Sequence, residues 1–230
     1  MKPLFLFLAL LGLCSSLDAQ FTLSLRGGMG TSSVNVKDQA ESVAFSEATA
    51  GRATSIGAYG SLIVAPGLSV ESGLVSRQYA LNISGDGLFD LFGTALPPQY
   101  AVDLRMNTLE VPLRIKGSLT LSRVLDVYGR AGVAMNYLRG GDLRVSSESK
   151  LNFQQFTSRI DPQQNSLRQW QPSAQAAGGV EIYLNSGANI HLEASYDRQL
   201  QPWLRLDNSG AKGSFSTLLF SGGLSIPIGR

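Results

Sequence analysis

The chain has one histidine, His191, and it shares residue parity with Ser195 and Asp197, the three side-chain types of a nucleophilic triad. A strand rises about 3.3 Å per residue, so positions i, i+4 and i+6 stand too far apart for nucleophile, base and orienting acid to touch. The spacing favours a paired, interior histidine over catalysis. Metal chemistry has less support still, because no second histidine and no cysteine cluster accompanies His191. The glycine-rich pieces at 26–30 and 139–141 lack the helix and the Lys-Ser/Thr pair of a phosphate loop. No catalytic residue and no cofactor is implied.

The remaining chemistry is electrostatic. Arg26, Glu71, Arg77, Glu110, Arg114, Lys116, Asp126, Arg130, Glu181, His191, Glu193 and Asp197 all fall on one parity of alternating segments, mixed with small residues such as Gly57, Gly73, Gly132, Gly179 and Thr217. With His191 neutral these are five positive and six negative charges, close to self-compensating. The opposite parity is apolar and uncharged. In TLEVPLRIK, at 108–116, Leu109, Val111, Leu113 and Ile115 alternate with Glu110, Pro112, Arg114 and Lys116. Period-two alternation marks a strand with unlike faces. It does not say which face is inside: leucines inward describe a secreted, lipocalin-like soluble barrel, leucines outward a membrane barrel.

The order of elements separates the two. Alternating segments near 20–30, 54–64, 68–81, 105–117, 124–138, 170–184, 188–199 and 214–228 predict eight strands. Their connectors alternate in length. Ala65-Pro66-Gly67, 118–123 and Asn185-Ser186-Gly187 are short turns, whereas 31–53, 82–104, 139–169 and 200–213 are long. Short turns at one end and long loops at the other predict an all-β fold: an eight-stranded antiparallel up-and-down transmembrane β-barrel with short periplasmic turns and long extracellular loops. A lipid-facing Arg or Lys at mid-depth costs about 2–4 kcal/mol, which accounts for the absence of charge from the apolar parity. Eight strands enclose a lumen that side chains fill, so the enclosed charges must pair. Pro112 has no N–H to give to a closed wall and predicts a local bulge or an unpaired carbonyl on a neighbouring strand.

Composition agrees with this reading. Charged residues are 16 % of the chain against roughly 25 % in soluble domains. A net charge of +2 gives no footing for nucleic acid. The first residues, MKPLFLFLALLGLCSSLDA, combine Lys2, an apolar run from Leu4 to Leu13 and a small Ala19. They predict a signal peptide over 1–19, cleaved on secretion, with 20–230 as one outer-membrane barrel domain. Cys14, the only cysteine, lies inside it and lacks the small preceding residue of a lipidation site. The mature chain is then expected to carry neither lipid nor disulfide.

Tyr137, Trp170 and Tyr196 lie on the apolar parity toward the long-loop end and predict an interfacial aromatic girdle at one depth. In the second long loop, Leu88, Phe89, Leu91 and Phe92 are a candidate partner or ligand contact. Folding back over the barrel mouth, or lying in the outer leaflet, is the plainer reading of the same residues. The third long loop, with Phe153 and Phe156, reads either as a strand extension or as a binding surface.

The segment TLEVPLRIKG, followed after a short gap by VLDVYGRAGVAMNYL, resembles the PorT-like outer-membrane β-barrel family of Gram-negative bacteria. The resemblance covers the mature chain in layout and these two strands in detail. It implies an eight-stranded outer-membrane barrel and, in some members, a role in protein secretion, and it brings no catalytic residues. The ending Pro227-Ile228-Gly229-Arg230 departs from the terminal aromatic that many such barrels carry. The expected protein is a monomeric, non-enzymatic barrel in outer-membrane lipid, reaching a protein or surface partner through its long loops. A narrow pore or carrier for small solutes, an accessory component of protein secretion, and a lipid-modifying enzyme using His191 remain as alternatives.

Overall fold

Reversing a strand in two or three residues requires backbone angles that most side chains resist. Gly67 takes φ 72° and Gly187 takes φ 80°, both in the left-handed region that glycine adopts without strain. These two reversals and a third at Arg123-Val124 join six of the long strands at one end of the computed structural model. The structure describes residues 21–37, 47–49, 51–85, 89–91, 94–96, 100–149, 152–160, 169–184, 187–202, 204–205 and 212–228. Residues 1–20, and with them the expected signal peptide, lie outside the described residues, as do Leu88 and Phe92.

Eight long strands form the wall: β1 (Phe21–Lys37), β2 (Gly51–Ala65), β3 (Leu68–Gly85), β4 (Tyr100–Ser122), β5 (Leu125–Ser149), β6 (Trp170–Tyr183), β7 (Asn189–Gln199) and β8 (Lys212–Ile228). Each pairs antiparallel with its neighbours in sequence, and β1 pairs β8 to close the barrel. The closure is staggered. Partners followed from Tyr128 through Gly179, Glu193, Ser221, Gly28, Ser55, Arg77 and Thr108 return to β5 at Leu138, ten residues above the start. Eight strands with this stagger tilt by about 40–45° and leave an interior that side chains alone can occupy.

Several boundaries differ from the sequence reading: β1 runs on to Lys37, β3 runs on to Gly85, and β4 begins at Tyr100. β4 runs on to Ser122, since Leu119 and Leu121 keep the outward apolar parity, so the short turn expected at 118–123 shrinks to Arg123-Val124. β5 continues to Ser149, and a further strand, Asn152–Ile160, folds back on it from Gly141↔Ile160 to Ser149↔Asn152, which makes that part of the third long loop a strand extension. Within the second long loop, Phe89–Leu91 pairs with Thr94–Leu96 as a small hairpin.

No bulge forms at Pro112. The β3–β4 register is the same above and below it, at Val75↔Glu110 and Ser72↔Leu113, but Gly73 and Leu74 have no ladder partners in Pro112 and Val111. The missing N–H interrupts the ladder without shifting it, and the Ser72 hydroxyl donates to the Pro112 carbonyl at 2.8 Å.

Over the lower and middle wall, the outward face is apolar: Leu25, Leu113, Val133, Leu192 and Phe220 are each more than half exposed. Contrary to expectation, the outward parity is not free of charge: among the described wall residues, outward charges begin toward the long-loop end with Arg52, Arg105, Arg139 and Arg198, where Gln78 and Asn107 also hydrogen-bond across the outer surface at 3.2 Å. At that same end the interior changes character. Tyr79, Leu81, Leu104, Met106, Leu138, Leu143 and Phe215 are buried there, and the Tyr79 and Phe215 rings stack with centroids 5.6 Å apart. Sequence reading expected a polar lumen throughout. Beyond the apolar belt the outer face meets water, so burying apolar side chains inside is again favourable, as in a soluble core.

An arginine placed in the belt should therefore report the solvent outside it. Leu113→Arg is expected to destabilise the folded barrel by about 2–4 kcal/mol in phospholipid vesicles, whereas Thr31→Arg, level with Arg52, should cost about 0–1 kcal/mol, as read from urea unfolding.

Candidate functional site

Alternation sends every second side chain inward, and all twelve residues of the charged parity lie on the lumen side, eleven buried and Lys116 half-buried. The structure gathers them into distinct groups. The largest centres on Glu71, whose side chain is fully enclosed. Arg26 donates to both of its oxygens, one bond measuring 2.9 Å. Arg130 Nη1 donates to the same two oxygens at 2.8 and 3.0 Å, and Arg114 Nε stands 3.2 Å away. One carboxylate thus serves three guanidinium groups from three other strands.

Three buried cations around one anion need further compensation, and two tyrosines supply part of it. The Tyr59 ring lies against Arg26 at 4.2 Å and Arg114 at 4.8 Å, and the Tyr128 ring against Lys116 at 4.7 Å and Arg130 at 4.8 Å. Arg130 also pairs with Glu193 and donates to the Tyr128 hydroxyl at 3.0 Å, and that hydroxyl donates to Glu193 at 3.1 Å. Next to this group, Lys116 binds both oxygens of Glu181 at 2.6 Å, and Tyr183 donates to Asp126 at 2.9 Å. In the low-dielectric interior such contacts are strong only while every partner is present.

A second group sits nearer the long loops. Arg77 lies 3.2 Å from both Glu110 and Asp197, and Gln175 bridges the same carboxylates by donating to Glu110 at 2.8 Å and Asp197 at 2.6 Å. Ser173 donates to Asp197 at 3.1 Å and accepts from Asn136 at 3.0 Å. No ion pair joins the two groups among the described residues.

His191, Ser195 and Asp197 do not come together. The hydrogen-bond neighbour of His191 is Ser225, at 3.4 Å from Nδ1, and Ser225 in turn contacts the Ser24 hydroxyl at 2.7 Å. Asp197 is held instead by Arg77, Gln175 and Ser173. Two interior glycines make room for rings: a Cβ on Gly179 would collide with the Tyr128 hydroxyl, and one on Gly223 with the His191 imidazole. Among the described residues, no cluster of three or more His, Cys, Asp or Glu could hold a metal ion.

The aromatic residues do not share one level. Trp170 pairs with Tyr137 and their rings lie 4.9 Å apart, whereas Tyr196 is opposite Ala176, six positions nearer the short turns along β6. At about 3.3 Å per residue this separates Tyr196 from Trp170 by roughly 20 Å along the strand. Position along one strand carries no information about the stagger between strands, which sets the depth.

Sequence reasoning missed Tyr59, Tyr128, Gln175 and the apolar upper interior. Signals for them exist. Tyr59 and Tyr128 occupy the charged parity of their strands, and in β3, β4 and β5 the apolar residues switch parity toward the long-loop end, from Leu74 to Tyr79 and Leu81, from Leu109 to Met106 and Leu104, and from Val133 to Leu138.

No protein-family model matches the sequence, and no curated protein matches it. Solved structures do. The outer membrane protein OprG from Pseudomonas aeruginosa is 14 % identical, with 91 % of this chain and 96 % of that chain covered and a TM-score of 0.53. Neisserial surface protein A is 9 % identical over 90 % of this chain and 97 % of that one, with a TM-score of 0.47. Ail, the attachment invasion locus protein of Yersinia pestis, is 12 % identical over 89 % and 98 %, with a TM-score of 0.37. Of the three, OprG superposes closely enough to bear on the fold, which is that of an eight-stranded outer-membrane β-barrel.

The Glu71 hub generates a direct test. Glu71→Gln removes the one anion shared by three arginines and should destabilise the barrel by roughly 3–5 kcal/mol in vesicle unfolding. Removing Lys116 and Glu181 together, as Lys116→Met with Glu181→Leu, should cost distinctly less, since no charge is left without its partner.

Proposed function

We propose that the chain is an outer-membrane anchor: a monomeric, non-enzymatic barrel with a closed lumen that presents its long-loop end to a protein or surface partner. The observation that carries this reading is the double obstruction of the interior. A solute crossing the barrel must part the guanidinium groups around Glu71 and then the stacked Tyr79 and Phe215 among buried leucines. The first barrier is a set of buried ion pairs and the second is an apolar core, so a path selected for one is disfavoured by the other. A narrow pore is correspondingly the weaker reading.

The long-loop end supports a contact role. β4, β5 and Asn152–Ile160 carry hydrogen-bonded sheet past the level where outward charges begin, which makes a rigid support for the loops. Tyr137 and Trp170 would mark the outer interface on this side, where amphipathic rings settle. The twelve lumen residues then act as the internal frame of the anchor rather than as a reaction site. The resemblance of TLEVPLRIKG and VLDVYGRAGVAMNYL to PorT-like barrels supports a second reading, in which the partner is a component of protein secretion and residues 1–19 are the cleaved signal that brings the chain to the outer membrane.

Planar-bilayer recording tests the closed lumen. Purified protein should give no stable conductance steps, and porin-scale currents would overturn the reading. On intact cells, cross-linking should capture a partner through the wild-type protein and lose it when residues 141–160 are replaced by a short turn, with heat-dependent gel mobility unchanged.

A further inference from the structure

Around Glu71 the lumen is filled by long side chains, whereas at the short-turn end many inward residues are small. There the inward positions include Thr22, Ser24, Ser61, Ser69, Ser118 and Ser225, contributed by five strands, and with Asn189 and Tyr183 they surround an open cavity of about 270 Å³. The cavity is a blind cup. Its floor is the lower ion-paired group, and the lining includes Lys116, Glu181, Arg26 and Glu71. Filling these positions with larger side chains would have buried more surface, so the open cup is not a requirement of the wall.

We propose that this cup binds a small, neutral, polyhydroxylated solute of about monosaccharide size. Three observations carry the inference. Hydroxyls both donate and accept, so a wall lined with them suits a ligand rich in the same group. The charges at the floor are already committed: Lys116 to both Glu181 oxygens, and Arg26 to Glu71. A charged ligand would have to break one of these pairs, whereas a neutral one can add hydrogen bonds and leave them in place. At the rim, Ile63, Leu68, Pro227 and Tyr183 offer apolar surface to the C–H face of such a ring. The volume lies just below the roughly 300–1,000 Å³ of sites for drug-sized molecules, which fits about a dozen non-hydrogen atoms.

The blind floor makes the cup a receptor on the short-turn side and not the entrance of a channel, so it is compatible with the closed lumen yet independent of any partner at the opposite end. The test is an amide NMR titration of the full barrel in phospholipid nanodiscs, with D-glucose as the neutral probe and sodium phosphate as the charged one. D-glucose should give saturable shifts confined to residues around the cup, with a millimolar Kd. Ser69→Val should weaken binding about three- to tenfold by removing one hydroxyl partner. Ser118→Trp, which blocks the cup, should abolish the shifts while heat-dependent gel mobility shows the barrel intact. Absence of saturable shifts up to about 200 mM D-glucose, undiminished shifts in Ser118→Trp, or saturable binding of phosphate in preference to D-glucose would each overturn the proposal.

Discussion

Eight strands closed with a stagger of ten residues make a tube whose interior is one side chain deep from every wall, and the rest of the molecule follows from that width. Inward polar groups cannot be hydrated by a column of water, so they must satisfy one another across the lumen. Glu71 is the clearest result. Its two oxygens are shared by Arg26 and Arg130 with Arg114 alongside, and Tyr59 and Tyr128 spread the excess positive charge over ring faces. The interior glycines belong to the same economy of space, since Gly179 and Gly223 stand where Tyr128 and His191 need room.

The wall meets two solvents, and the side chains record the change. Along the belt, leucine, valine and isoleucine face outward while carboxylates and guanidinium groups face inward. Toward the long loops the arrangement inverts, with Arg52, Arg105, Arg139 and Arg198 outside and Tyr79, Leu81, Leu104 and Phe215 within. The inversion occurs inside continuous strands. Lipid rewards an apolar exterior and tolerates an ion-paired interior, whereas water rewards the opposite placement, so one hydrogen-bonded wall holds a membrane-type section and a soluble-type section in series.

This serial construction separates the two ends chemically. Beneath the long loops the interior is apolar, with Tyr79 and Phe215 stacked among buried leucines. The ion-paired group beneath it forms the floor of the serine-lined cup at the short-turn end. On the proposed reading, a partner at one end and a solute at the other would act on separate surfaces. Pro112 interrupts the ladder between these regions without shifting it, because the register is imposed by the pairs above and below.

The sequence by itself determined the strands, their order, and which parity is charged, because period-two alternation and turn residues are local properties of the chain. Leu109 to Ile115 against Glu110 to Lys116 is legible without any fold, and so is the interior placement of the twelve polar residues once eight strands and sorted connectors are counted. The tertiary structure alone decided who meets whom. The convergence of Arg26, Arg114 and Arg130 on Glu71, the bridging of Glu110 and Asp197 by Gln175, and the displacement of Tyr196 from the level of Trp170 all depend on the stagger, a quantity accumulated around the whole ring. Depth and partnership in a closed barrel are properties of the closure, and no single strand contains them.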